Sequence, residues 1–258
     1  MEIIAIAALG FFAVGYFILG GADIGVGMLL PFLGRDAAER RVGIAAIAPF
    51  FLGNEVWLVA TAGILIGGFP VLEGALLSSL FPVVIMLLAG WVIRDMGLWL
   101  RGRETGRIWW GLCDGAIVLG SWAVALSWGW MFAGLLAGII DRPVTGPGAG
   151  LAAVGIAALF AVHGLAFAAL RLAGTQRERA RRLSGESGEV RTFILTSAAM
   201  AVPVLAVGAR LPLAESAADA ATLAFLVPVL VVLTPLLVAA QGWVWWLFRH
   251  RVDRPSYL

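Results

Sequence analysis

Seven long apolar runs divide this sequence and restrict the chain to one kind of surroundings. They can be read at Ile3 to Leu33, Ile44 to Phe69, Val71 to Ile93, Leu112 to Ile140, Leu151 to Ala173, Phe193 to Ala209 and Ala220 to Phe248. An α-helix rises ~1.5 Å per residue, so runs of this length can cross ~30 Å of hydrocarbon, the sixth being the weakest and closest to the lower limit. In lipid each backbone N–H and C=O must be paired internally, and helices do this within one segment. The composition agrees, with 61% hydrophobic and 13% charged residues and a mean hydropathy of +0.97. No extended polar stretch remains for a soluble domain. The sequence therefore predicts an all-α, polytopic membrane helix bundle of about seven transmembrane helices, a single transmembrane domain over residues 1–258.

All 18 basic residues are arginines, and sixteen of them fall in alternate connections: after the first, third and fifth runs and at the C-terminus. Only Arg142 and Arg210 lie on the other side. Cationic loops stay in the cytoplasm, so the C-terminus is expected there and the N-terminus outside. The opening MEIIAIAALGFF lacks the basic stretch of a cleaved signal peptide, so the first helix is expected to persist. The sequence pI of about 9.3 is then a signal of topology and not of nucleic-acid binding, since the arginines alternate with acids in short loops.

Two carboxylates stand where lipid should forbid them. Asp23 lies in the first run and Glu55 in the second, and an ionisable group at bilayer depth costs at least ~2.5 kcal/mol, so each must face protein or water. Around Asp23 cluster Gly20, Gly21, Gly25 and Gly27. On a helix Gly20, Asp23 and Gly27 share a sector of about 60°, while Gly21 and Gly25 form a small-xxx-small pair on a neighbouring face, so a second helix is expected close by. Asp23 either takes part in function or is satisfied locally and holds two helices together.

Glu55 belongs to Gly53-Asn54-Glu55-Val56-Trp57, a polar interruption in an apolar span. Its helical face carries Ala48, Phe51, Val59 and Ala62, so its surroundings are dry unless another helix brings a partner. It is a candidate proton relay, or a protonated acid making one hydrogen bond between helices. Asn54 and Trp57 read as packing or interface residues. Asp114, expected one turn inside the fourth helix, is a third proton-path candidate, with capping of the helix start as the simpler reading. Trp91, Arg94, Asp95, Trp99 and Arg101 read as an interfacial anchor, and the C-terminal Trp243, Trp245, Trp246 and Phe248 as another.

Redox centres within the chain find few ligands. Cys113 is the only cysteine, which excludes an internal disulfide, a thiolate iron–sulfur cluster and a CxxC pair. The two histidines are His163, in the fifth run, and His250, in the tail, which does not fit a bis-histidine haem within this chain. His163 has no ligand partner at helical spacing and reads as a neutral, hydrogen-bonded packing residue. No metal site is expected.

GADIGVGMLLPFLGR with AERR, followed by APFFLGNEVWLVATAG, resembles subunit II of the cytochrome bd quinol oxidases, in which D-x-G-V-G-M and G-N-[EQ]-V-W runs stand at the same spacing. Arg94 to Arg101, HGLAFAALR with RERARR, and AQGWVWWLFRHRV resemble further parts of that family. The resemblance implies a respiratory enzyme that oxidises quinol and reduces oxygen to water. It places haems b and d in a haem-bearing subunit I, with this chain as a haem-free partner that supports its assembly, in the bacterial plasma membrane beside the quinol pool, with small single-helix accessory subunits also possible partners. Two departures stand out. The family usually has nine helices, so a hairpin of the second half is expected to be missing. Acids that many members carry are replaced by Gly20 and Leu52, which leaves Asp23, with Glu55 as a stand-in, for proton delivery. Two other readings stay open, a small membrane transporter or proton conductor, and a paralogue that serves assembly only.

Overall fold

Helix boundaries in this chain follow its prolines and glycines. In the computed structural model, which describes residues 1–184 and 188–254, the first run is one helix, α1 (Glu2–Met28), that ends before Pro31, with a single further turn, α2 (Leu30–Leu33). The second run is divided at Ala48-Pro49-Phe50 into α3 (Ala37–Ile47) and α4 (Phe51–Gly68), because a proline inside a helix lacks the N–H and clashes with the preceding turn. The third run, expected as one span from Val71 to Ile93, is instead broken at Leu80 into α5 (Pro70–Ser79) and α6 (Phe81–Leu100). Pro70 and Pro82 sit in the first turns of these helices, where the missing N–H costs nothing.

The remaining helices are α7 (Arg107–Leu136), α8 (Pro147–Arg171), α9 (Gly174–Ser184), α10 (Glu189–Gly208) and α11 (Ala220–Leu247). Pro203 lies within α10, and Pro228 and Pro235 within α11; neither helix is divided. The connection from α9 to α10 is rich in glycine and serine from Ser184 to Gly188, and its residues 185–187 lie outside the described residues. Among the described residues seven helices, α1, α4, α6, α7, α8, α10 and α11, are long and apolar enough to cross a membrane. Among the described residues the only extended pairing is the bridge between Leu172 and Val252, which ties the C-terminal segment to the end of α8.

The core is built around α1, which lies against α4, α7, α8 and α10, while α6 lies along α7. Glycines set the closest approaches. A Cβ at Gly25 would collide with the Phe160 carbonyl and the Gly164 backbone, and one at Gly164 would collide with the backbone of Gly25 and Val26, so α1 and α8 touch main chain to main chain. Gly21 faces Met200 of α10 with Phe160 and His163 of α8, and Gly27 faces Ser121 of α7. Gly20 differs from the expectation: its nearest neighbour is Tyr16 of the same helix, because that ring fills the space beside it. Helix α11 is peripheral, with Leu223 and Val227 its only buried residues among those described.

Candidate functional site

Side chains of α4, α6 and α1 meet around one guanidinium. Arg94, on α6, is 1% exposed, and its Nη2 donates to Asp23 Oδ1 at 2.5 Å. Its Nη1 donates to Asp95 Oδ1 at 2.8 Å and lies 3.5 Å from Glu55 Oε1. The sequence reading of Arg94 and Asp95 as an interfacial anchor is therefore corrected. Arg101 comes seven residues later, so Arg94 lies about 10 Å further along the helix axis, deep enough to need an ionic partner. That offset was the available signal.

Asp23 is held on its other side by Asn54, whose Nδ2 donates to Asp23 Oδ2 at 2.8 Å and to the Leu19 carbonyl at 2.9 Å. Asn54 Oδ1 accepts from Gln241 Nε2 at 3.0 Å, and Gln241 Oε1 accepts from Trp57 Nε1 at 3.2 Å. One hydrogen-bonded chain thus links Trp57, Gln241, Asn54, Asp23 and Arg94 across α11, α4, α1 and α6. Trp57, buried, uses its indole N–H here and is not lipid-facing. Gln241 was missed because a single amide in a long apolar helix carries no partner information in sequence.

Glu55 does have a partner brought by another helix: Trp91 Nε1 of α6 donates to its Oε1 at 2.9 Å. The Glu55 and Asp95 side chains are 16% and 21% exposed, against 3% for Asp23, so the site runs from a closed interior to the surface of the bundle. One guanidinium faces three carboxylates, an excess of negative charge that a proton or an outside cation can offset. This gives the site the chemical capacity to take up and release protons.

Asp114 belongs to a separate cluster. Helix α7 begins at Arg107, which puts Asp114 two turns in, beyond the free N–H groups of the helix start, and the capping reading is corrected accordingly. Instead Arg101 Nε donates to Asp114 Oδ1 at 2.5 Å, Arg40 Nε lies 3.1 Å from Oδ2, and Arg101 Nη2 reaches the Ala37 carbonyl at 2.9 Å. The same end of the bundle holds Glu39, bidentate to Arg179 of α9 at 2.6 and 2.9 Å and accepting from the Arg35 N–H at 2.8 Å. Hydrogen bonding from Arg179 pulls the Glu39 carboxyl down to about 2.

His163, on α8, is fully buried with both ring nitrogens engaged: Nε2 lies 2.8 Å from the Ile18 carbonyl and Nδ1 2.8 Å from Thr196 Oγ1. A carbonyl only accepts, so Nε2 carries the proton and the Thr196 hydroxyl satisfies Nδ1. Among the C-terminal aromatics, Trp243 and Trp246 are exposed as expected. Trp245 instead packs against Phe50 and Phe167, with ring centroids 5.2 and 5.8 Å apart, because α11 turns that edge towards α8. Among the described residues, no group of three or more His, Cys, Asp or Glu side chains is placed to hold a metal ion.

Comparison with known proteins places these motifs. Residues 1–208 match the family described as cytochrome bd terminal oxidase subunit II. The chain is 36% identical over 131 residues to cytochrome bd-I ubiquinol oxidase subunit 2 of Escherichia coli (strain K12), covering 51% of this chain and 35% of that protein. It is 35% identical over 199 residues to cytochrome bd ubiquinol oxidase subunit 2 of Bacillus subtilis (strain 168), covering 72% and 59%. A probable cytochrome oxidase subunit 2 of Haemophilus influenzae is 28% identical over 195 residues, covering 70% and 51%. The match thus spans less than two thirds of the length of each of these relatives. With a match over most of its length, and with Asp23, Asn54 and Arg94 meeting at one buried site, this chain belongs to the cytochrome bd terminal oxidase subunit II family.

Proposed function

We propose that this chain is the haem-free subunit II of a bd-type terminal quinol oxidase, a multi-pass protein of the bacterial inner membrane that assembles with and stabilises a haem-bearing subunit I. The complex oxidises quinol from the membrane pool and reduces oxygen to water. The observation that carries the reading is the convergence of three separate family stretches, through Asp23, Asn54 and Arg94, on one buried ion pair. Helices joined in this way present a rigid face to a partner subunit, since no helix in the set can shift without separating a charge pair.

Haem b and haem d, when bound in subunit I, supply the electron transfer and the oxygen chemistry. The residues of this chain do not fit a haem of its own, because His163 has no ring nitrogen to spare and the exposed His250 has no second histidine beside it. What this chain contributes chemically is proton handling at Glu55, which is open to the surface on one side and joined through Arg94 to Asp23 on the other. The arginine-rich connections and the C-terminus lie in the cytoplasm and the N-terminus outside.

The test is purification of the tagged chain from its native membrane. A haem-bearing partner should co-purify, with quinol oxidase activity in the complex and no haem spectrum in this chain after the subunits are separated. A chain that purifies without any haem protein, or one that keeps a haem Soret band alone, overturns the proposal.

A further inference from the structure

Two cavities, of about 520 and 550 Å³, adjoin at the arginine-rich end of the bundle and share Ala37, Ala38 and Trp110 in their walls. The start of α3, the end of α6, the first turn of α9 and the C-terminal segment enclose one, and the starts of α3 and α7 enclose the other. Their walls carry Arg41, Arg101 and Arg254 in the first and Arg40 and Arg107 in the second. The carboxylates present are Glu39, Asp253, Asp36 and Asp114.

Most of that negative charge is already committed. Asp114 is taken by Arg101 and Arg40, Glu39 is taken by Arg179 from outside the walls, and Asp36 accepts the Glu39 N–H at the start of α3. Arg41, Arg107 and Arg254 form no ion pair among the described residues, and of the wall carboxylates Asp36 and Asp253 are the two without an ion pair, so the unpaired arginines outnumber the unpaired acids. The walls therefore offer guanidinium donors, the side chains best matched to phosphate oxygens.

The surroundings point to a lipid as the source of that phosphate. Trp110 is of the type that sits at the level of lipid headgroups, and beside it on α7 Ile108 and Leu112 are 82% and 64% exposed, one helical turn apart on the same face. Basic recesses between membrane helices at the cytoplasmic boundary are suited to anionic headgroups. We propose that these adjoining cavities hold the phosphate group of an anionic phospholipid, its acyl chains lying along Ile108 and Leu112, and that the lipid fastens α3, α7 and α9 to the membrane surface.

The experiment titrates the purified full-length chain, in detergent, with dioleoyl phosphatidylglycerol, dioleoyl phosphatidylcholine or inorganic phosphate, and follows bound mass by native mass spectrometry. The proposal requires one phosphatidylglycerol to be retained at a concentration roughly tenfold lower than phosphatidylcholine. The triple variant Arg41→Gln, Arg107→Gln and Arg254→Gln should lose that preference by about tenfold, Arg249→Gln should leave it unchanged, and the corresponding triple change to lysine should keep most of it. Equal retention of the two lipids, an unaffected glutamine variant, or displacement of phosphatidylglycerol by inorganic phosphate alone would each overturn it. If the glutamine variant does not fold, the comparison of the two lipids on the unaltered chain and on the lysine variant still decides.

Discussion

Arg94 Nη2 lies 2.5 Å from Asp23 Oδ1, and both side chains are almost wholly enclosed. The two residues stand 71 positions apart, on α6 and α1, and Arg94 is the cation that lets Asp23 be buried. Removing Arg94 strands the Asp23 charge in a dry interior, whereas removing Asp23 leaves Arg94 with Asp95 and Glu55, and removing both leaves an amide pair in place of the charge pair. Arg94→Gln alone should cost about 3–5 kcal/mol, Asp23→Asn less because Asp95 and Glu55 still face Arg94, and the double variant less than the two together. Thermal unfolding of the purified chain in detergent measures this, and strict additivity would show that the pair contributes nothing as a pair.

Glu55 is the carboxylate whose loss of titration should be felt in turnover. In Glu55→Gln the amide oxygen still accepts from the Trp91 N–H, so assembly and haem content of the complex should be normal. Oxygen uptake per haem should fall and its pH dependence shift, and Glu55→Ala should do the same or worse. Normal turnover per haem in Glu55→Gln would leave Glu55 with a structural role only.

The main-chain contact between α1 and α8 should tolerate no side chain. Gly164→Ala should cost roughly 1–3 kcal/mol or more and lower the yield of folded chain, because its Cβ would meet the Gly25 backbone. Gly155→Ala, on the same helix with nothing within 4 Å of its Cβ, is the control and should be neutral or slightly stabilising. Equal stability of the two variants would contradict the packing.

The Glu39–Arg179 pair gives the arginine-rich end a dependence on pH. The Glu39 carboxyl is pulled down to about 2 in the folded chain, so its contribution is complete above the ordinary carboxylate value of 4.5 and is lost as pH falls towards 2. The difference in melting temperature between the wild type and Glu39→Gln should therefore be constant from neutral pH down to about 4.5 and shrink below it. A difference that widens in acid would reverse the sign and refute the pairing.

Topology is tested by a reporter fused after Leu258, a position outside the described residues. It should be active only on the cytoplasmic side, and one fused at the N-terminus only outside.

The helical class and the number of spanning segments were legible in the sequence because apolar run length is a property of consecutive residues. So were the glycine stripe on α1, whose Gly21, Gly25 and Gly27 all meet other helices, and the satisfied state of His163. The breaks at Pro49 and Leu80 were less so: the hydrophobic pattern continues across them, and only the backbone geometry imposed by Pro49 and Pro82 divides the helices.

By itself the sequence determined that this chain must live in lipid as a bundle of helices, that Asp23 and Glu55 must find shelter there, and which family its motifs resemble. The tertiary structure decided who shelters them. Arg94 reads locally as one more cation near a helix end, and Asp114 as a cap; their roles follow from which helices adjoin and at what depth. Gln241 joins the site from α11, 187 residues beyond Asn54. A hydrophobic run is stabilised by its own residues against lipid, but a buried charge is stabilised only by an opposite charge within a few ångströms, and that distance is set by packing between segments far apart in the chain.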